Sequence, residues 1–254
     1  MPKNHNSHAP PGPRAPPPRP EDPQEHASRA QSNNILAGFS GSEQFAEKLH
    51  PVKLELGEIL YEPEQHIEHV YFPTAGVISL LAAFEDGTTV EAGVIGLEGM
   101  LGTSVVLGAE TTPHQALVQA EGHALKMAAR DLRAEAQKDG LLLDLLLRFT
   151  NALFTQVAQT AGCNRAHTIE QRLARWLLLT HDRVEQNEFA ITQEFLSRML
   201  GVRRAGVSVA ANTLREMRAI DYRRGRVVVR DRPGLERASC ECYSVVKAEY
   251  DRLR

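Results

Sequence analysis

The side chains best suited to chemistry in this sequence are arginines near its C-terminal end. Between residues 198 and 230 there are nine arginines against two acidic side chains, Glu216 and Asp221. A guanidinium group can donate paired hydrogen bonds to phosphate oxygens and to the two acceptors on the edge of guanine. A cluster of this density therefore predicts a surface that binds a polyanion such as nucleic acid.

Two short helices joined by a tight turn are predicted for residues 191–220. Thr192 is suited to cap the first helix, and Gly201 suits the left-handed position that ends it. Apolar residues at helical spacing give the pair a buried side: Phe195, Leu196, Met199 and Leu200, then Val207, Ala210, Ala211, Leu214 and Met217. The outer side of the second helix then carries its polar residues, Arg203, Arg204, Ser208 and Asn212.

A basic hairpin follows the second helix. Residues 222–224 and 226–229 have the pattern of two short strands that turn at Gly225. A hairpin beside a basic helix pair predicts a winged helix-turn-helix in which Arg203 and Arg204 contact bases and Ser208 faces the groove. Phosphates would be held by Thr192, Gln193, Arg223, Arg224 and Arg226. For the helix pair alone, an αα-hairpin with a solvated charged face is the alternative.

The run from Ile191 to Ile220, ITQEFLSRMLGVRRAGVSVAANTLREMRAI, with the hairpin behind it, resembles the DNA-binding domain of the Crp/Fnr family of bacterial transcription regulators. This resemblance implies a homodimer that presents two recognition helices to successive major grooves about 34–36 Å apart, and so a palindromic operator. It also implies RNA polymerase as a partner. Family members commonly read bases with Arg, Glu and a later Arg. Arg204 matches the first, but Ala205 and Val209 replace the others, which predicts a different operator sequence.

The charge of the chain is unevenly divided. Residues 1–164 carry 11 basic and 20 acidic side chains, whereas residues 165–254 carry 18 and 12. An acidic first part and a basic last part favour a sensor joined to a DNA-binding domain. The sequence lacks an apolar run of eighteen residues and an apolar signal core, so we expect a cytoplasmic protein without a membrane partner.

Four segments are predicted in an α+β chain. Residues 1–34 hold nine of the fourteen prolines and few bulky apolar groups, which predicts a disordered tail. Residues 35–138 begin with an amphipathic helix and continue as short alternating strands broken by glycine and proline, which predicts an antiparallel β-roll of jelly-roll type. This segment resembles the cyclic-nucleotide-binding roll of the same family. Residues 139–164 form a long helix, and residues 165–254 form the winged helix-turn-helix.

The resemblance also implies an effector pocket in the roll. In the family a glycine-rich turn with a glutamate holds the ribose, and a later arginine beside a hydroxyl residue holds the cyclic phosphate. The matching positions here are Gly96, Glu98 and Gly99, then His114 and Gln115. Without the arginine, a buried phosphate loses its charge-assisted bond, worth roughly 1.5–3 kcal/mol. We therefore expect an altered or lost pocket that disfavours cyclic nucleotides, and we assign no cofactor; the glycines alternatively serve only as turns.

Metal sites are not expected from the sequence. His66 and His69 stand three apart in a strand-rich segment, so they face opposite sides and cannot easily share an ion, as cupin enzymes would require. Three cysteines are too few for an iron–sulfur cluster. The final stretch is predicted as one helix that starts at Pro233 or Gly234, on which Cys240 and Cys242 point in different directions. Cys163 is better suited to fill apolar space than to act as a thiol sensor.

The leucine-rich helix predicted for residues 139–164 is apolar on more than one side. Leu142, Leu146, Phe149 and Leu153 follow helical spacing, yet four further leucines are present at positions 141, 143, 145 and 147. The family resemblance implies that this helix pairs with its twin, whereas a merely buried core helix is the alternative. Two other classes of function remain open at this point: a cupin-like enzyme, and a ligand-binding scaffold without affinity for DNA.

Overall fold

The computed structural model describes residues 30–39, 41–184 and 186–253; most of the predicted N-terminal tail lies outside them. The helices are α1 Asn34–Gly38, α2 Glu43–Ala46, α3 Thr103–Val106, α4 Ala129–Lys138, α5 Gly140–Ala166, α6 Ile169–His181, α7 Gln193–Leu200, α8 Arg204–Glu216, α9 Arg232–Ala238 and α10 Cys242–Asp251. The strands are β1 His50–Leu54, β2 Ile59–Tyr61, β3 His69–Ala83, β4 Thr89–Ile95, β5 His114–Ala128, β6 Glu188–Ala190, β7 Ile220–Arg223 and β8 Arg226–Val229.

The roll is built around two long antiparallel strands, β3 and β5. β5 also pairs with β1 and β2, and β4 pairs with the other edge of β3. The register of β3 against β5 shifts at Ala75, where Gly122 comes so close to the Ala75 carbonyl that a Cβ would lie 2.2 Å from its oxygen. Alternate residues such as Phe72, Ile78 and Leu125 point into the core and are fully buried. The predicted α+β class and antiparallel roll are confirmed.

The N-terminal helical segment differs from its prediction. We expected a single amphipathic helix at the start of the segment, from Asn34 to His50. The chain instead forms two short helices, α1 capped by Asn33 and α2 capped by Ser42. The side-chain amide of Asn33 also donates to the carbonyls of Pro73 and Gly99, which lie in or beside the roll. Asn33 is completely buried, so the packed chain begins before residue 35.

The long helix α5 joins the two ends of the molecule. Asp139 caps it by accepting hydrogen bonds from the first amides, and Leu142, Leu146 and Phe149 are fully buried against the roll and α10. Its length and composition would suffice to cross a membrane, but buried helices of soluble proteins pass the same test. Leu147 and Phe154 on another side of α5 are exposed.

The C-terminal part has the predicted order of two helices and a β-hairpin, and β8 pairs with both β7 and β6. Two details of the prediction are wrong. Met217 was assigned to the buried side of the second helix, but α8 ends at Glu216 and the Met217 side chain is 52% exposed. The last segment was predicted as one helix, but it breaks at residues 239–241 between α9 and α10.

Candidate nucleic-acid interface and effector cavity

The turn between α7 and α8 forms as its residue types require. Thr192 accepts a hydrogen bond from the Phe195 amide at 3.1 Å and thereby caps α7. Gly201 adopts the left-handed conformation with φ of 61°, and the amides of Gly201 and Val202 close the helix end on the carbonyls of Arg198 and Ser197. The reversal brings α8 out at an angle to α7 with its first residues exposed.

The outer face of α8 carries two arginines at its start. Arg203 is the N-cap residue and Arg204 the first helical residue, and both side chains are exposed. Among the described residues, neither guanidinium has a carboxylate within ion-pair distance. Ser208 is half-buried, and its hydroxyl lies 2.8 Å from the side-chain oxygen of Gln193, so this contact links α7 to α8.

An open cleft lies beside Arg204, between the start of α7 and the hairpin. It has a volume of about 380 Å³ and is lined by Thr192, Gln193, Arg204, Tyr222, Arg224 and Gly225, so none of the residues that the structure describes there is acidic. The Tyr222 hydroxyl donates to the Ile191 carbonyl at 3.0 Å, and burial raises the pKa of Tyr222, so its hydroxyl stays a neutral donor. Two arginines and several neutral hydrogen-bonding groups make this cleft suitable for a phosphate.

The hairpin turn presents Arg224 at its tip. Arg223 pairs with Arg226 across the hairpin, so Arg224 and Gly225 form a two-residue turn with φ of 52° and 75°. Arg226 forms an ion pair with Glu188 at 2.9 Å, and Arg223 lies 4.0 Å from Asp221. The charges of those two arginines are therefore partly balanced within the protein, whereas Arg224 lies in the acid-free cleft.

Comparison with known families assigns both parts of the chain. Residues 51–139 match the cyclic nucleotide-binding domain, and residues 171–238 match the Crp-like helix-turn-helix domain. The chain belongs to the Crp/Fnr family of transcription regulators. Members of this family are regulators and not enzymes, and the helix-turn-helix binds DNA, so the cupin-like and scaffold alternatives are removed.

Solved structures of other family members share the fold. FixK2 from Bradyrhizobium japonicum is 16% identical with a TM-score of 0.65, covering 76% of this chain and 98% of its own. A CRP-family transcriptional regulator from Thermus thermophilus is 17% identical with a TM-score of 0.63, covering 74% and 96%. The c-di-GMP-responsive regulator CLP from Xanthomonas campestris is 14% identical with a TM-score of 0.56, covering 74% and 96%. No curated protein sequence matches this chain.

The effector residues expected in this Crp/Fnr regulator do not line one cavity. Glu98 turns toward the DNA-binding part, where its carboxylate accepts hydrogen bonds from Arg183 at 2.8 Å and from the Gly96 amide at 3.1 Å. Both partners of this ion pair are buried, and the Arg183 guanidinium also lies 5.2 Å from the centre of the Tyr250 ring. Gly99 packs against α5, where a Cβ would overlap the Phe149 ring. The Glu98 carboxylate thus already has a cationic partner.

His114 lies elsewhere, at a cavity of about 210 Å³ between the roll and α5. Gln115 donates to Glu62 at 2.9 Å and does not line that cavity. Within the described part of the chain, the lining contains no lysine or arginine and consists of Tyr61, Leu80, Ala92, Ile95, Leu101, Gly102, Thr103, Ser104, Thr112, His114, Thr150, Leu153, Phe154 and Val157. The cavity therefore favours a small, largely apolar ligand with one or two hydrogen-bonding groups.

Val209, which stands at a position where the family commonly reads bases, is 60% exposed on α8. Sequence reasoning missed two other residues that the structure brings forward. Phe154 is 71% exposed on α5, which its leucine-rich surroundings concealed. Arg183 lies just beyond the end of α6 and was not singled out from the sequence, because no local pattern indicates that it pairs with Glu98.

Proposed function

We propose that this regulator binds a palindromic operator as a homodimer, with one α8 in the major groove of each half-site. The observation that carries the proposal is the acid-free surface formed by Arg203, Arg204 and the cleft beside them. Exposed arginines without internal partners remain available to guanine edges and phosphates. This surface lies at the first turn of α8, whose outer face is exposed to solvent along the helix.

The dimer is supported by an apolar stripe along α5. Leu143, Leu147, Thr150, Phe154, Val157 and Ala161 follow one another at spacings of four and three residues, and each is partly or fully exposed. This spacing is the seam of a left-handed coiled coil, in which such residues pack against a second copy. In a monomer the stripe, including the 71% exposed ring of Phe154, would stay in water.

Base recognition would divide between the arginines and Val209. Arg204 would donate a bidentate pair to guanine, while Val209 would contact the methyl group of a thymine, since an aliphatic side chain offers no hydrogen bond. Arg224, Thr192 and Gln193 would hold the phosphate that enters the cleft. Ser208 would orient Gln193 and touch DNA less directly, because its hydroxyl already contacts that side chain.

The effector site we propose is the cavity that His114 lines, and it differs from a cyclic-nucleotide pocket. Its lining lacks a cation for the phosphate, and Glu98 is occupied by Arg183. Thr150, Phe154 and Val157 line the cavity and also belong to the stripe on α5, so a ligand there would act on the dimer seam. On this proposal the protein works in the cytoplasm, and RNA polymerase is its further partner.

The test is binding of the purified protein to fragments of its own promoter, measured by fluorescence anisotropy at several salt concentrations. We expect a preference for an inverted repeat and a steep loss of affinity with salt. Arg204→Ala should weaken the specific site by about 1–3 kcal/mol and relax base choice at one position. Arg224→Ala should weaken all sequences alike and lower the salt slope by about 1.

Arg130→Ala is the matched control, because Arg130 is an exposed arginine on α4 in the roll, outside the proposed DNA surface. It removes the same charge and should leave binding unchanged. If Arg204→Ala binds every sequence as the unchanged protein does, the assignment of α8 as the reading helix is wrong.

A further inference from the structure

All three cysteines of the chain meet at the end of α5, although two of them lie some eighty residues from the third. Cys163 and Cys240 have their sulfurs 3.5 Å apart, and the sulfur of Cys242 lies 3.5 Å from Nδ1 of His167. The four ligand atoms all lie within 4.8 Å of one another, and the three cysteines are buried. The cysteine cluster, as we call these four residues, is separate from the DNA surface and from the effector cavity.

Local structure explains how the cysteine cluster forms. Cys163 and His167 stand four residues apart at the C-terminal end of α5, so their side chains lie on the same side of it. Cys240 lies in the break between α9 and α10, and Cys242 is the first residue of α10. On one continuous helix these two would point apart, as the sequence suggested; the break turns both sulfurs toward α5 and corrects that expectation.

We propose that Cys163, His167, Cys240 and Cys242 bind one Zn²⁺ ion as a tetrahedral Cys₃His site. Zinc–sulfur bonds of about 2.3 Å and a zinc–nitrogen bond of about 2.0–2.1 Å give tetrahedral edges of about 3.8 Å between sulfurs and about 3.5 Å between sulfur and nitrogen. The two contacts of 3.5 Å are close to these edges. An iron–sulfur cluster holds its thiolates further apart, because several irons lie between them.

The surroundings of the cysteine cluster suit a metal. Nε2 of His167 lies 3.3 Å from the carboxylate of Glu241, which leaves Nδ1 free to bind the ion. A carboxylate on the far nitrogen is the usual partner of a metal-bound histidine. The side-chain amide of Gln159 donates to the Cys242 sulfur at 3.2 Å, as amides do to metal thiolates.

A zinc ion here would join α5 to the C-terminal end of the DNA-binding part. Its ligands come from the C-terminal end of α5 and from the chain between α9 and the start of α10, so the ion would fix how these elements meet. Binding energy at a site that does not exist in the unfolded chain also adds to folding stability. This inference is independent of the proposed operator binding.

The experiment measures metal content in reduced full-length protein that has been loaded with Zn²⁺ and desalted. We expect one zinc per chain in the unchanged protein and loss of that zinc in Cys240→Ser and in His167→Ala. His66→Ala is the matched control, because His66 is an exposed histidine of the roll, and it should keep the zinc. Glu241→Gln should retain the site with roughly 10–100-fold weaker affinity, as expected for a partner outside the ligand set.

Cobalt substitution keeps the proposal testable even where a variant fails to fold. Co²⁺ in the unchanged protein should give the intense visible and charge-transfer absorption of a tetrahedral thiolate site. The proposal is overturned by either of two results: no retained zinc together with the weak spectrum of six-coordinate cobalt, or iron with inorganic sulfide after anaerobic reconstitution.

Discussion

Glu91 on β4 begins a buried polar chain that crosses from the roll to α6. Its carboxyl lies 2.7 Å from the Ser79 hydroxyl, which lies 2.8 Å from the side-chain oxygen of Gln119. The Gln119 amide donates to the Thr180 hydroxyl at 2.8 Å, and that hydroxyl donates to the Trp176 carbonyl at 3.0 Å. This chain of hydrogen bonds holds the DNA-binding part against the roll. The protonation state of Glu91 therefore affects the stability of both parts.

Burial raises the pKa of Glu91 from 4.5 to about 7. The hydrogen bond from Ser79 and the charges of Arg175 and Arg183 lower it, but they offset only part of the effect of burial. The hydrogen-bond pattern also favours a protonated Glu91, because the single hydroxyl proton of Ser79 cannot be donated to both the Glu91 carboxylate and the Gln119 side-chain oxygen. A protonated Glu91 donates to Ser79, and Ser79 can then donate to Gln119.

The pKa shift fixes the sign and size of a pH effect on stability. The folded-state pKa of about 7 lies above the unfolded value of 4.5, so the stabilising contribution is full below pH 4.5 and is lost as the pH rises through 7. The whole loss is about 3 kcal/mol, and most of it falls between pH 5 and pH 8. Other carboxylates oppose this trend, so the effect must be read as a difference between variants.

Glu91→Gln removes the titration and retains an amide that can donate to Ser79. Urea unfolding of the variant and the unchanged protein from pH 5 to pH 8 gives the difference in free energy of unfolding at each pH. We expect the variant to gain about 2–3 kcal/mol relative to the unchanged protein over this range. Glu85→Gln, an exposed glutamate, is the control. A Glu91→Gln difference that does not vary with pH would refute the reasoning.

Two further predictions concern the dimer seam and the ion pair between the two parts. Phe154→Glu should yield monomers at micromolar concentration by light scattering, because two carboxylates would face each other in the seam; Leu107→Glu, at a 65% exposed leucine outside α5, should leave the mass unchanged. If Phe154→Glu forms dimers with the same dissociation constant as the unchanged protein, the stripe on α5 is not the dimer interface. Arg183→Met should cost about 3–5 kcal/mol in urea unfolding, because it leaves the Glu98 carboxylate buried and unpaired. Adding Glu98→Gln to Arg183→Met should restore most of the lost free energy of unfolding. A double variant as unstable as Arg183→Met alone would show that the unpaired Glu98 carboxylate does not cause the loss.

The helix-turn-helix could be predicted from sequence because its signals are local. Thr192 caps the helix that follows it, Gly201 takes the one conformation that favours glycine, and the turn at residues 224–225 forms between strands that are neighbours in sequence. In each case the residue type and the structure it specifies lie within a few positions. The repeated short strands of the roll belong to the same class of signal.

The effector region and the cysteine cluster could not be predicted in this way. Glu98 pairs with Arg183, which is 85 residues away, and no spacing rule connects the two positions. The cysteines meet only because the last helix breaks at residues 239–241, where no proline marks the break. One wrong helix boundary was enough to turn the Cys240 and Cys242 sulfurs apart in the prediction. Long-range packing decides both features.

These long-range contacts determine which interactions must break before α8 can move relative to the roll. The Glu98–Arg183 pair and the Gln119–Thr180 hydrogen bond tie α6 to the roll, and the turn at Gly201 packs so closely on β4 that a Cβ there would lie 3.0 Å from Val90. Moving α8 relative to the roll therefore requires breaking a buried ion pair and a buried hydrogen bond together. A ligand in the cavity beside α5 can drive that movement only by as much as it binds the moved arrangement more tightly. Because the cavity shares residues of α5 with the proposed dimer seam, repacking of that seam would be the direct route by which such a ligand gains that difference in affinity.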